Sequence, residues 1–470
     1  MPSRVLLISA NRCTTPDPVF PLGLACLNAA LRKAGHHTAW LDQLADADRL
    51  DAVLDSYRPD FIGISLRNID DVLIQTRETF FGDAISLSAR IRQRTSCPII
   101  VGGSGFSLFP QQLLQLTGAD YGICGEGEAS FVSLMAVLEA GGDISRIPGG
   151  VFRQNATIVV NLPSISPLDG AREANDWPEA LTAHYLETSG TLNLQTQRGC
   201  RFRCCYCTYP LIEGRRHRRR GPEAVVDEFE QLQHLGARYV YVVDSIFNSS
   251  PAHVTEICEA ILRRGVKVAW GCFLRPQGLT PELMRLMARA GLSHAEFGSD
   301  SLCDAVLEAY QKDLTFDDIL ASSELARREN VGVCHFRICG GPGETEATMR
   351  ESFENSQRLD RAVIMAVAGL RVYPGTALFE RAVAEGQMRR DADLLQPAYY
   401  FAPGLTEAAV RAQLQEFARL PPNWIIGDPP PAYRNLVKRL RQKGIVGPLW
   451  SYFAMLQRLG PVVHAGGVSS

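Results

Sequence analysis

Cys200-Arg201-Phe202-Arg203-Cys204-Cys205-Tyr206-Cys207 places four thiols in eight residues. The run follows the alternating stretch Thr191 to Gln195, which predicts a strand, and precedes a turn at Tyr209-Pro210. That density is foreign to cysteines that merely fill a core. Three thiolates spaced x3 and x2 can fold around one soft metal centre, whereas a tetrahedral zinc site needs a fourth ligand. The spacing departs from the four-cysteine ferredoxin run. The economical reading is a [4Fe-4S] cluster on Cys200, Cys204 and Cys207, with one iron open to another ligand. Using Cys205 would compress the ligand spacing, so it is read as the extra thiol. A zinc knuckle that borrows a ligand from elsewhere and a disulfide pair are the competing readings.

The Cys-x3-Cys-x2-Cys loop resembles the signature of the radical S-adenosylmethionine (SAM) superfamily. The resemblance implies that the open iron chelates the amino and carboxylate groups of SAM and that the reduced cluster cleaves its sulfonium bond. It also implies roles for residues at strand ends. Tyr206, just before Cys207, matches the aromatic that contacts the adenine. Asp244 stands where an acceptor for the SAM ammonium is expected, and Glu296 or Asp300 where the ribose hydroxyls or the methionyl end are held. Gly341, in the run Gly340 to Thr345, borders the adenosyl part. Arg275 is expected close to a carboxylate, and Arg371 with Tyr373 near the substrate mouth. Each of these also reads as a turn or N-cap, with Glu344 and Thr345 simply starting a helix.

At 470 residues the chain exceeds one ordinary core, which favours two or three domains. A net charge of -3 argues against a general nucleic-acid binder. Thirteen cysteines, one tight cluster and the rest scattered through apolar segments, suit a reducing compartment. Neither a signal peptide nor a run of roughly twenty apolar residues is found, so the cytoplasm is the expected location.

Residues 1–135 predict a doubly wound α/β domain. Val5 to Ile8, Thr38 to Leu41, Phe61 to Ser65, Pro98 to Val101 and Tyr121 to Cys124 are short apolar strands separated by helical stretches. In such sheets ligands sit beyond the carboxyl ends of the strands. The residues there are Asn11, Ser65, Arg67, the glycines Gly102, Gly103 and Gly105, and the run Gly125, Gly127 and Glu128. Glycines at strand ends let backbone approach a large ligand, and ordinary turns use them too. An α/β domain of this size before a radical SAM loop resembles the cobalamin-binding radical SAM group, whose corrinoid-contacting loops these positions match. GxGxxG is absent after the first strand, which weakens a nicotinamide-dinucleotide reading. One departure from the histidine-ligated cobalamin pattern matters. The loop after the first strand reads Asn11-Arg12-Cys13-Thr14-Thr15 where Asp-x-His-x-x-Gly would stand. Cobalamin is therefore expected without a protein histidine on cobalt, with Arg12 and Cys13 left open as neighbours of the lower face. His36 and His37 read as surface residues.

Residues 136–188 read as a connector with a small hairpin, Val151 to Arg153 and Thr157 to Val160, followed by the breakers Pro163, Pro167 and Pro178. Residues 189–385 alternate strand and helix through six βα steps, a partial barrel with its site at the carboxyl ends of the strands. Residues 386–470 predict a mainly helical region, with helices over 406–420, 431–443 and 447–459. Its aromatics, Tyr399-Tyr400-Phe401, Trp424, Trp450 and Tyr452, either cover the barrel mouth or pin the tail down. His335 reads as an interior histidine. The basic run Arg215 to Arg220 reads as a solvated loop or a cofactor-phosphate contact, ahead of RNA binding.

The family resemblance implies methylation of an unactivated carbon, with cobalamin carrying the methyl group and a 5'-deoxyadenosyl radical removing a hydrogen. A cyclase, rearrangement enzyme or oxidase using the same parts without net methyl transfer is the alternative. Expected partners are a small-molecule, lipid-like or peptide substrate and an electron donor such as flavodoxin or ferredoxin, without nucleic acid.

Overall fold

Strand β1 (Arg4–Ser9) buries every residue after Arg4. A strand without alternation has both faces covered, as in a parallel sheet sandwiched by helices. A computed structural model describes residues 2–14, 17–165, 177–419, 423–427, 437, 439–441, 443–448 and 450–452, and among these the expected sheet forms. β1 pairs in parallel with β2 (His37–Asp42) and β3 (Phe61–Ser65). Next come β4 (Ile99–Gly102) and β5 (Tyr121–Ile123), giving the order β2-β1-β3-β4-β5. This is the flavodoxin-like winding, with the order reversing between β1 and β3. Val5, Leu7, Ile100 and Ile123 pack against Leu24 and Leu31 of helix Leu22–Lys33 and against Phe131, Leu134 and Met135 of helix Gly127–Glu139.

The connector hairpin does more than tether. β6 (Gly150–Gln154) and β7 (Thr157–Val160) add antiparallel to β5 and extend the first sheet to seven strands. The free edge of β5 is thereby covered. Arg153 fixes the hairpin by donating to Ala119 O at 2.6 Å and Leu114 O at 3.0 Å, and Val151 and Phe152 are buried.

The six strands expected from residue 189 onward all form. They are β8 (Thr191–Leu194), then, after the two-residue strands β9 (Gln197–Arg198) and β10 (Arg218–Arg219), β11 (Tyr239–Val242), β12 (Ala269–Leu274), β13 (Leu292–Asp300), β14 (Gly332–Cys339) and β15 (Ala362–Ala368). β12 begins two residues later than Lys267, and β13 runs past Phe297 to Asp300, where a left-handed φ of 61° ends it. Strands β12 to β15 pair in parallel, neighbour to neighbour. The result is a parallel sheet of the partial-barrel kind expected from the alternating strands and helices. Helix Glu407–Ala418 follows the N-cap Thr406, and the short strand Trp424–Ile426 pairs with β15, an element the mainly helical reading of the tail lacked. Most of the helices expected over 431–443 and 447–459 lie outside the described residues.

The chain divides into two compact units. The first gathers residues up to Ala237 with 242–245 and 371–400, and the second holds 238–241, 246–370 and the described residues from Phe401 onward. The tail aromatics of the second unit pin it down. Trp424 is buried against Phe353 and Phe417, Trp450 Nε1 donates to Glu296 Oε1 at 2.7 Å, and Tyr452 OH donates to Ile445 O. His335 is interior as expected, between Ser299 and Ser323 and stacked on Phe297, and burial lowers its pKa to about 3. No helix among the described residues is long and apolar enough to cross a membrane.

Candidate functional site

The cysteine loop leaves β9 through Gly199, whose φ of +89° belongs to the left-handed region and whose Cα faces the Arg216 carbonyl too closely for any side chain. β9 and β10 pair antiparallel, and Cys200 N donates to Gly214 O at 3.0 Å, so the loop is anchored on a hairpin. Cys207 N donates to Cys204 O at 3.1 Å, a turn that brings these two cysteines together. Cys200 is buried, and Cys204 and Cys207 are half-buried. Cys205 is also buried, and its carbonyl accepts from Leu378 N at 2.8 Å, while Tyr206 between it and Cys207 is half-buried. Among the described residues no three His, Cys, Asp or Glu side chains converge as the ligands of one metal ion would. The fit to a cluster rests on donor chemistry, three soft thiols on one anchored loop.

A buried ion network ties this hairpin to the loop after β5. Arg198 Nη2 donates to Glu128 Oε1 at 2.6 Å, its Nη1 lies 3.4 Å from Glu126 Oε2, and its Nε donates to Gln195 Oε1 at 2.9 Å. Arg218 closes the square by pairing with Glu126 and donating to Glu213 O at 2.8 Å. Burial alone would raise the Glu128 carboxyl, but the Arg198 charge and hydrogen bond outweigh it and hold it below the ordinary range. Glu213 accepts from Gly199 N at 2.9 Å, and burial pushes its carboxyl up. Glu128 thus faces a protein cation. Arg198 and Glu213 went unnoticed in the sequence, as did the pairing of Glu126 with Arg198 and Arg218, because the paired charges lie up to 92 positions apart; the only local signal was charge clustered beside the glycine and cysteine loops.

Asp244 follows β11 and is fully buried. It accepts from Thr196 N at 2.7 Å, from Thr196 Oγ1 at 2.5 Å and from Gln197 N at 3.2 Å, which fixes the entry to the cysteine hairpin. Burial outweighs these three donors and pushes its pKa up to about 7.

At the carboxyl ends of the first sheet, Ser65 pairs with Gly102 and its carbonyl accepts from Ala10 N at 3.0 Å. Asn11 is buried and accepts from Cys13 N at 3.2 Å, while Arg12 lies 3.5 Å from Asp83 on the surface. Gly103, at φ +103°, has its Cα turned toward Leu66 O, where a Cβ would stand 2.5 Å away, and Gly105 closes in the same way on Arg67 O and Asn68. Gly102 abuts Ile123 O, Gly125 abuts Pro163, and Gly127 faces open space. These glycines first let strand-end loops stack. Arg67 is the exception to saturation: Nε donates to Asn68 Oδ1 at 3.2 Å, but Nη1 is buried with no hydrogen-bond partner. Burial lowers the Arg67 pKa, and Cys13, Tyr209 and Tyr185 are its electrostatic neighbours. A buried orphan donor at the strand ends fits a polar-rimmed cofactor such as a corrinoid with its amide side chains. Tyr209, which the sequence reading used only as a turn marker, stands near both Cys207 and Arg67. Arg371 Nε donates to Asp70 Oδ2 at 2.8 Å, and Tyr373 OH lies 3.4 Å from Asp70 Oδ1, so this pair is locked to the loop after β3.

In the second unit Glu296 is buried and accepts from Tyr241 OH and Trp450 Nε1, and burial raises its carboxyl. Asp300 pairs with Lys312. Arg275 donates to Lys312 O, to Asp313 O at 2.7 Å and to Gln277 Oε1 at 2.5 Å. Gly341 lies under Tyr310, where any Cβ would strike the phenol. Glu344 accepts from Gly340 N and from Gly341 N at 3.2 Å and pairs with buried Arg337, closing the Gly340 to Thr345 turn.

Residues 9–135 match the family model of the B12 binding domain, and residues 194–355 match that of the Radical SAM superfamily. The chain therefore joins a B12 binding domain to a radical SAM domain. Among curated relatives, tryptophan 2-C-methyltransferase of Streptomyces laurentii is 27% identical over 438 residues, 79% of this chain and 73% of that one. Hopanoid C-3 methylase of Methylococcus capsulatus is 25% identical over 77% of this chain and 70% of its own. Among solved structures, the radical SAM methyltransferase TsrM from Kitasatospora setae, with cobalamin and a [4Fe-4S] cluster bound, superposes with a TM-score of 0.87 at 22% identity and covers 98% of both chains. That likeness is one of fold. This cobalamin-binding radical SAM chain therefore has the architecture of a cofactor-dependent enzyme.

Proposed function

We propose that this chain is a cobalamin-dependent radical SAM methyltransferase acting on an unactivated carbon. The observation that carries the reading is the tie from Arg198, at the root of the cysteine loop, to Glu126 and Glu128 in the loop beyond β5 of the B12 binding domain. When bound, the cluster supplies the electron that breaks the SAM sulfonium bond and cobalamin supplies the methyl carrier. Cys200, Cys204 and Cys207 would hold the cluster, and Tyr206 would lie against the adenine. Arg67 would hold the corrinoid, together with backbone at Gly102 to Gly105 and Gly127. Asp244 would orient the hairpin through Thr196 and Gln197, and the Arg198 network would keep the two loops in register while excluding water from between them. In this reading residues 1–135 are the corrinoid domain, 136–188 the connector, 189–385 the barrel and 386–470 the covering region. The two curated relatives described above, which match over more than three quarters of this chain, are named as carbon methylases, which supports methyl transfer; other relatives are named as cyclases, which keeps cyclisation as the second reading. The substrate class is a small, lipid-like or peptide molecule, the electron donor a flavodoxin or ferredoxin, and the setting the cytoplasm.

The test is anaerobic turnover of the cobalamin-loaded, cluster-reconstituted protein with SAM carrying a labelled methyl group and candidate acceptors, read by mass. A labelled CH2 gain in the acceptor with S-adenosylhomocysteine is expected. An acceptor converted with no label, and with 5'-deoxyadenosine alone, would overturn methyl transfer in favour of cyclisation, rearrangement or oxidation.

A further inference from the structure

We propose that the outer face of the cysteine loop is the docking surface for an acidic one-electron carrier protein, an inference that rests on the radical SAM reading above. Arg201, Arg203, Arg215, Arg216 and Arg219 are all exposed, and among the described residues none of them forms an ion pair with a carboxylate. They belong to one patch because β9 and β10 pair, Cys200 N meets Gly214 O, and the Gly199 Cα abuts the Arg216 carbonyl. Arg201 and Arg219 both crowd His217, whose ring meets Phe202 edge-on with centroids 6.3 Å apart. The acids beside the patch are turned inward: Glu126 and Glu128 to Arg198 and Arg218, Glu213 to Gly199 N and Gln195. Five like charges thus stand without a carboxylate partner among the described residues, on a chain whose net charge is -3.

Such a concentration repels itself and adds nothing to the fold, but it accelerates encounter with an anionic partner. Its place selects the partner. Arg201 and Arg203 lie between the first two cluster cysteines and Arg215 and Arg216 on the strand return beside them, so a protein seated there rests against the entry point for an electron. One electron leaves the carrier's flavin and arrives on the cluster, which passes from the 2+ to the 1+ state; no proton or group moves. A polyanionic RNA would also favour arginine, but nothing about RNA calls for the patch to surround the cysteine loop.

The experiment uses the cobalamin-loaded, cluster-reconstituted protein and reduced flavodoxin as probe. The cluster-reduction rate is followed by stopped-flow absorbance at rising salt, with binding titrated separately. Arg215→Glu/Arg216→Glu, outside the cysteine span, is compared with the triple variant that adds Arg201→Glu. The expected result is a rate with flavodoxin about tenfold or more lower in both variants, with the salt dependence of the wild type flattened. Reduction by titanium(III) citrate should be unchanged. Equal rates with flavodoxin in wild type and variant would overturn the proposal, as would an equal loss with both reductants in the double variant. So would variant-sensitive binding of a mixed-sequence RNA at physiological salt with flavodoxin rates unaffected. If titanium(III) citrate fails to reduce even the wild type, the radical SAM reading falls, while the binding titration still decides the docking surface.

Discussion

Asp244 shows how one residue can stand at a predicted ligand position and serve the fold. Its carboxylate accepts from Thr196 twice and from Gln197 once, yet burial raises its pKa to about 7. The folded state therefore holds a proton between the ordinary carboxylate pKa and about 7 that the unfolded state has lost. This stabilisation is fully present below pH ~4 and disappears as pH rises through about 7. We expect the stability of the wild type relative to Asp244→Asn to fall by on the order of 4 kcal/mol between pH 4 and 8, because asparagine cannot ionise. Melting temperatures of the two proteins across that range measure it, and a constant difference would refute it. Glu296 makes a parallel case in the barrel. Glu296→Ala strips the acceptor from buried Trp450 and Tyr241 and should cost about 3 kcal/mol, whereas Glu296→Gln should cost under about 1 kcal/mol. Denaturant midpoints of the two variants decide between a bracing and a solvent-facing role. Sequence disclosed carboxylates at these strand ends, but the partners of each come from distant parts of the chain and had no local signature.

At the scale of elements, legibility followed locality. The strands β1 and β3 were readable because apolar residues run on without alternation, and helix Leu22–Lys33 because its period and the following Gly35 mark both ends. The cysteine loop was readable because metal-ligand spacing is a local property of the chain. The pairing of the 150–160 hairpin with β5 was not, since strand pairing across a connector is set by which edge lies free. The strand Trp424–Ile426 escaped because three residues carry no period. The glycine loops were located correctly as strand ends, but their individual reasons differ, and this is testable. Gly103→Ala forces a β-carbon against Leu66 O at positive φ and should release cobalamin from the loaded protein, while Gly127→Ala meets open space in the protein itself. In equilibrium dialysis Gly103→Ala is expected to retain under about a tenth of the wild-type cobalamin, given a loss of 1.4 kcal/mol or more. Unaltered retention in Gly103→Ala would contradict a site built on that turn.

For the whole molecule, domain boundaries drawn along the sequence and compact units drawn in space need not coincide. The cysteine hairpin and residues 371–400 fall in the same unit as the B12 binding domain, while most barrel strands fall in the other. The salt bridges of Arg198 and the clasp of Arg371 on Asp70 both lie within that first unit. Arg198→Met should be costly, about 3 kcal/mol, because Glu128 would lose its counter-charge while Glu126 keeps only Arg218, and thermal melting of the cofactor-free protein measures it. The central claim is that Cys200, Cys204 and Cys207 hold a cluster whose open iron takes SAM. The direct measurement is electron paramagnetic resonance of the reconstituted, reduced protein with and without SAM, beside the variant with all three cysteines replaced by alanine. The account predicts a reduced-cluster signal that changes shape on SAM addition and is absent from the variant. A signal that survives the three replacements, or a wild-type signal indifferent to SAM, would contradict it.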